Sequence, residues 1–333
     1  MTQRYFSIKY LNNCLGLNIK QTLQLIQMEN NDRLDDLFLQ RRKFIKNISL
    51  TAAGAGILLS SPFAAGAANK KTWTVGQIMD LFLKEVNGAP FPSTVDTLKS
   101  GSKDTQVKGI VTTMFATVPV IKQAIAAGAN FIIAHEPTFY SHLDKTDWLK
   151  DDGVYHYKSD LLNKNNITVW RNHDYIHAHR PDGVYSGLLK KLGWNKYADL
   201  SSPWNVQLPE TSLSELISSL KRNLNISTLR YIGDDGQRCK KILLMPGAAG
   251  GQRQISSISE MNPDVAIVGE ISEWETAEYV RDARASGKKL SLIVLGHIDS
   301  EDPGSEFMKE WLNKNVAGVP VTHIYCGSPF SFK

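Results

Sequence analysis

Residues Leu290–Glu301 read LSLIVLGHIDSE, an apolar run followed by glycine, histidine and, four positions after the histidine, glutamate. A short apolar run bounded by turn formers predicts a strand buried on both faces. Gly296 permits the tight turn that would deliver His297 and Glu301 just beyond its end. Two more segments share the arrangement. FIIAHEP (131–137) places His135 and Glu136 directly after a buried strand, and Pro137 stops that strand from continuing. ITVWRNHDYIHAH (167–179) places His173, Asp174, His177 and His179 shortly after another. Ligands of open α/β sheets gather outside the carboxyl ends of the strands. Three strand ends far apart in sequence can therefore bring these side chains together.

Around these strands the apolar period switches between two and 3.6 residues. Helices are predicted over Thr72–Val86 (with a threonine cap), Val118–Ala127, Gly153–Asn163, Gly183–Leu192, Leu213–Leu224, Ile255–Met261, Thr276–Ser286 and Glu306–Asn315. Further strands are predicted over Val107–Thr113, Thr228–Tyr231, Cys239–Met245 and Val265–Val268, with Val321–Tyr325 as a returning edge strand. Ser201-Ser202-Pro203 marks a break. The expected fold class is α/β and two-lobed, each lobe a mixed sheet flanked by helices, with a metal site in the cleft between them. The first lobe spans 72–205 and the second 206–333, with the C-terminal segment packing back on the first.

Imidazole and carboxylate donors suit Zn, Mn, Fe, Co or Ni better than Ca. His135, Glu136, His173, His177, His297 and Glu301 exceed the needs of one tetrahedral ion, which points to two ions per chain bridged by a carboxylate and a water. Any one of these histidines alone would more often cap or orient a neighbour, and Asp174 or His179 could serve only that way. His142, His156 and His323 lack the pattern and are read as structural. Asp174 and Glu270, the latter in Val268-Gly269-Glu270 at the end of another strand, are the candidate acid/base groups. Glu273 and Trp274 either line the cleft or sit at an exposed helix start. KILLMPGAAGG (241–251) is a glycine-rich loop after a strand. It lacks the Lys-Ser/Thr of a nucleotide P-loop, which leaves an anion cradle or a plain tight turn.

The chain has 333 residues, and its first 68 read as an N-terminal extension with an export signal. QRRKFIK (40–46) is basic, and the uncharged, small-residue stretch ISLTAAGAGILLSSPFAAGAA (48–68) follows it. The adjacent arginines predict the twin-arginine route, with cleavage after Ala65-Gly66-Ala67 and residence in the periplasm or otherwise outside a bacterial cytoplasm. An uncut anchor is the alternative, but the stretch makes a weak span, so no stable membrane insertion is expected after cleavage. A start at Met28 would give a leader of ordinary length. Residues 1–67 hold eight Lys/Arg and four Asp/Glu, leaving 30 basic against 29 acidic residues, a balance that gives no support for a nucleic-acid partner. Cys239 and Cys326 could pair outside the cytoplasm, although their spacing alone decides nothing.

The order HEP, a His-rich segment leading to PDG, then PGAAGG, VGE and GHIDSE resembles the Ngg-interacting-factor-like family of dinuclear metal-centre proteins, often labelled type 2 GTP cyclohydrolase-like. The likeness runs from about Thr72 to the C-terminus. GHIDSE matches the family's Gly-His-x-x-Ser-Glu, which implies metal ligation by His297 and Glu301 and a glycine-rich loop beside the metal centre. The family's His-His-Pro is His135-Glu136-Pro137 here, and its His-x-x-x-Asp falls on His173 and His177. The resemblance also implies a homo-oligomeric ring, a hexamer. The expected function is metal-dependent hydrolysis of a small-molecule substrate. A non-catalytic metal carrier, store or scaffold ring is the alternative. The cyclohydrolase label guides poorly, since an exported protein rarely meets cytoplasmic GTP.

Overall fold

A computed structural model describes residues 72–331 and 333. The stretch read from sequence as an export signal, and Met28, lie outside the described residues. Among the described residues no helix is long and apolar enough to cross a membrane. The first half of the fold runs α1 (Val75–Leu83), β1 (Leu98–Ser100), β2 (Ile110–Thr113), α2 (Val118–Ala126), β3 (Phe131–Ala134), α3 (Gly153–Lys164), β4 (Thr168–Arg171), α4 (Asp174–Ala178) and α5 (Gly183–Leu192). The second runs β5 (Asn205–Ser212), α6 (Leu213–Leu224), β6 (Arg230–Ile232), β7 (Arg238–Met245), α7 (Gly251–Met261), β8 (Val265–Val268), α8 (Glu278–Ala285), β9 (Ser291–Val294), α9 (His297–Asn315) and β10 (Val321–His323).

Two mixed five-stranded sheets result, each flanked by helices. One has the order β1-β4-β3-β2-β10 and the other β5-β7-β8-β9-β6. In the first, β4, β3, β2 and β10 are parallel and β1 runs against β4. In the second, a parallel β7-β8-β9 core carries antiparallel β5 and β6 at its edges. Strands β2, β3, β4, β8 and β9 are buried along their whole length, polar Thr112, Thr113, Thr168, Arg171 and Ser291 included, as strands covered by helices on both faces are. Helix α1 begins at a Thr74–Gln77 capping box and lays Val75, Ile78, Met79 and Phe82 on the first sheet. Helix α5 bridges the sheets: Val184 joins the core of the first, while Leu188, Leu189 and Leu192 join the core of the second.

Some elements differ from the sequence reading. Strands β1 and β5 and the short α4 were not foreseen; β5 (NVQLPETS) is a polar edge strand containing proline. The last helix starts at His297, nine residues before the predicted Glu306, and carries Pro303 inside it. Its Pro303-Gly304 pair acts as a close-packing surface. A Cβ on Gly187 of α5 would lie 2.1 Å from the Pro303 carbonyl oxygen, and one on Gly304 would lie 3.0 Å from Val184 Cα. Cys239 and Cys326 are free thiols.

Lys158 of α3 is buried, donates to the Thr138 carbonyl and lies over the Tyr140 ring. Burial holds its ammonium pKa down at about 8. The unfolded chain keeps that proton up to about pH 10.4, so between these values it binds more protons than the folded chain, and folding stability rises with pH. The raised pKa values of Cys239 and Cys326, about 11 through burial, oppose this rise in both chains, so the difference between wild-type and Lys158→Met urea melts should carry it, worth up to about 3 kcal/mol. A wild-type slope retained in the variant would refute the assignment.

Candidate metal centre

Each expected ligand leaves its strand where the sheet pairing is still intact. The His135 and Glu136 backbone N–H groups continue the pairing of β3, donating to Thr113 and Met114 carbonyls at 3.1 and 2.9 Å. His173 stands two residues beyond β4, at the start of α4. The buried Asp96 carboxylate accepts from its backbone N–H at 2.8 Å and from that of Tyr175 at 2.7 Å. His297 opens α9 after Gly296, and Glu301 follows one helical turn later on the same face.

The six side chains converge. His135, His173 and His177 form one group whose ring nitrogens lie within 4.8 Å of one another, and His135, Glu136 and Glu301 form a second. The His135 and His173 rings stack at 4.7 Å between centroids. His297 Nε2 is 3.2 Å from Glu136 Oε1 and 3.0 Å from Glu301 Oε2. His177 Nε2 lies 4.0 Å from Glu301 Oε1. Asp302, Glu306 and His323 form a separate group on α9 and β10.

All four imidazoles are oriented alike. His135 Nδ1 meets the Asn172 carbonyl at 3.3 Å, His173 Nδ1 meets Asp174 Oδ1 at 2.9 Å, His177 Nδ1 meets Asp182 Oδ2 at 3.0 Å and His297 Nδ1 meets Glu270 Oε2 at 3.2 Å. An acceptor on Nδ1 fixes the proton there and turns Nε2 inward, the outer-shell arrangement that metal-ligating histidines use. His135 Nε2 is enclosed and has no hydrogen-bond partner among the described residues; Glu301 Oε2 is 3.4 Å away. An enclosed imidazole nitrogen between two buried carboxylates fits a cation. The donor set of nitrogens and carboxylates is one that divalent transition ions accept.

The electrostatics agree. Burial alone would lower the His297 pKa, but Glu136, Glu270 and Glu301 together push it up to about 12. Burial likewise opposes charge on His135, and Glu301 and Glu136 overcome it. Burial would raise Glu301, yet His135 and His297 hold it far below the carboxylate range. His173, half-buried and stacked on His135, is pushed down to about 4 by desolvation. The carboxylates thus demand positive charge at the centre, which protons on two imidazoles supply when nothing else does.

The glycine-rich loop serves this carboxylate pair. Gly247 has φ +69°, and a Cβ there would lie 2.1 Å from Glu301 Oε1. Its N–H donates to Ser300 Oγ at 3.0 Å, and Ser300 donates to the His297 carbonyl. The loop is therefore a tight turn fitted around Glu301, and its Gly247 N–H is already bonded within the protein.

The two expected acid/base groups sit differently. Asp174 Oδ2 accepts from Thr94 Oγ1 at 2.8 Å and the Val95 N–H at 3.1 Å, and Oδ1 holds His173, so both oxygens are committed to orienting. Glu270 touches His297 but leaves its side chain 54% exposed. His179 stacks on Phe82 and pairs with Glu85, away from the centre. Trp274 is exposed, and Glu273 pairs with Arg230.

Three contributors escaped the sequence reading. Arg171, fully buried, faces Glu136 Oε2 at 3.2 Å and Asp144 at 3.7 Å, and donates to the carbonyls of His135 and His142. Asp96 holds the start of α4, and Asp182 caps α5 while orienting His177. Asp182 alone had a local signal, an aspartate just before a predicted helix.

A family model described as Duf34/NIF3 (NGG1p interacting factor 3) matches residues 96–327. The GTP cyclohydrolase 1 type 2 homolog of Clostridium perfringens is 28% identical over 233 residues, covering 66% of this chain and 84% of that protein. The protein of the same name from Escherichia coli K12 is 28% identical over 227 residues, covering 67% and 86%. A Staphylococcus aureus hypothetical protein of solved structure superposes with a TM-score of 0.65 at 19% identity, covering 79% of this chain and 100% of its own, a likeness of fold. With the motif order, the two-sheet fold and the converging histidines all in place, the chain belongs to the Duf34/NIF3 family.

Proposed function

We propose that this protein is a metal-dependent hydrolase whose ions are held by His135, Glu136, His173, His177, His297 and Glu301. The supporting observation is the common orientation of the four imidazoles, Nδ1 anchored outward and Nε2 inward, around two buried carboxylates. Bound divalent ions supply Lewis-acid polarisation and an acidified water at such a centre. The protein's part is to fix the donors and to move a proton. Glu270 is the group for the second task. Its hydrogen bond to His297 lowers its pKa, so it is ionised and able to accept, and its exposure gives it access to a substrate. Asp174 holds His173 in register instead.

The test is a metal analysis of the purified chain followed by a screen of phosphoester and cyclic-amide substrates, with His297→Ala as the control. Loss of a charge-stabilising ion predicts a fall of at least about 100-fold in the variant. Activity unchanged in His297→Ala would argue against metal catalysis, and bound metal with no turnover of either substrate class would favour the carrier reading.

A further inference from the structure

On the face of the first sheet that packs against α9, a second group of donors lies outside the centre described above. His323 of β10 pairs in parallel register with Thr112 of β2, which places both side chains on one face. That face meets α9: Ile110, two residues before Thr112, packs with Met308, Trp311 and Leu312. Asp302 and Glu306 project from α9 one turn apart, and with His323 they present ligand atoms within 4.8 Å of one another. In the sequence His323 carries no strand-end motif and reads as structural.

Two buried oxygens at this place are unused. Asp302 is 7% exposed and Thr112 fully buried, and neither Asp302 Oδ1 nor Thr112 Oγ1 has a hydrogen-bond partner among the described residues. Orphaned oxygens are costly unless something occupies them. The histidine is also set for ligation. Its Nδ1 meets the Thr112 carbonyl at 3.1 Å, which turns Nε2 toward Asp302 Oδ2 at 2.9 Å. Two ligands held at right angles by bonds of about 2.1 Å stand about 3 Å apart, so this spacing already suits a shared ion. Glu306 meets Lys191 at 2.7 Å, but that pair is part-exposed and weak enough to be displaced.

We infer that Asp302, Glu306 and His323 form a separate binding site for one divalent cation, with Thr112 Oγ1 as a further oxygen donor. Two carboxylates, one imidazole and a hydroxyl select a cation of the Mn²⁺ or Zn²⁺ class over soft Cu(I). The site shares no ligand with the His297 centre, so it stands or falls separately from the proposed hydrolase.

The full chain, stripped of metal, is titrated with Mn²⁺ while electron paramagnetic resonance counts the free ion. His323→Gln should bind one ion fewer than wild type. A chain carrying His177→Ala and His297→Ala should keep one ion, which His323→Gln then removes, and Mn²⁺ should raise its melting temperature only while His323 is present. If His323→Gln does not fold, Glu306→Gln, a change at a part-exposed position, should weaken one ion by at least about tenfold, the lower end of what losing even an outer-shell partner does. Equal ion counts in wild type and folded His323→Gln, or an unchanged isotherm in Glu306→Gln, would overturn the site.

Discussion

A Gly247→Ala chain is expected to fold, yet to hold metal at the His297 centre at least about 100-fold more weakly than wild type, a loss of about 3 kcal/mol in binding. The added Cβ would lie 2.1 Å from Glu301 Oε1 and 2.5 Å from its Cδ. The contact is with the end of a side chain, so the backbone need not yield. The carboxylate must leave instead, and with it goes the group that faces His135, His177 and His297. Alanine at φ +69° adds strain of about 1–2 kcal/mol, too little to unfold a unit of this size. Metal content by mass spectrometry, with circular dichroism as the folding control, checks the expectation. Wild-type metal content in a folded variant would contradict it.

Arg171→Met should act on stability. The guanidinium is fully buried between Glu136 and Asp144, and its removal leaves Glu136 with imidazole partners only and Asp144 with Lys99 alone, at 3.2 Å. Breaking a buried pair from one side destabilises by about 3–5 kcal/mol, far more than an exposed ion pair contributes. At about 2–4 °C per kcal/mol for a domain of this size, the melting temperature should fall by roughly 6–20 °C. Adding Glu136→Gln to Arg171→Met should recover part of the loss, because the penalty comes from the unpaired charge. Strictly additive losses would show that Arg171 works through packing alone. Lysine at this position should rescue poorly, since it cannot span Glu136 and two carbonyls in one plane.

The strand ends were legible in the sequence because each signal there is local. An apolar run and a nearby histidine lie within a dozen residues, with a glycine or proline stop at two of the three ends, and the spacing of His297 and Glu301 is one helical turn. Pro303-Gly304 misled because proline and glycine read as helix breakers. Here their small, rigid outline lets α9 settle against Gly187 and Val184. Arg171 and Asp96 were invisible for a different reason. Arg171 meets a residue 35 positions away, and Asp96 meets one 77 positions away, so only the parallel order of β4 and β3 and the return of the chain past β1 create those pairs. Sequence left Asp174 open between a base and an orienting group, because a carboxylate's freedom depends on which neighbours occupy its oxygens.

The central claim is that the four inward-turned imidazoles and the two buried carboxylates hold metal. Anomalous diffraction from crystals of the full chain grown with Mn²⁺ tests it most directly. The prediction is a peak within about 2.0–2.3 Å of the His297 and Glu301 donor atoms, with His135, His173, His177 and Glu136 completing the surroundings. Crystals soaked in saturating Mn²⁺ that show no anomalous density among these six side chains would contradict it.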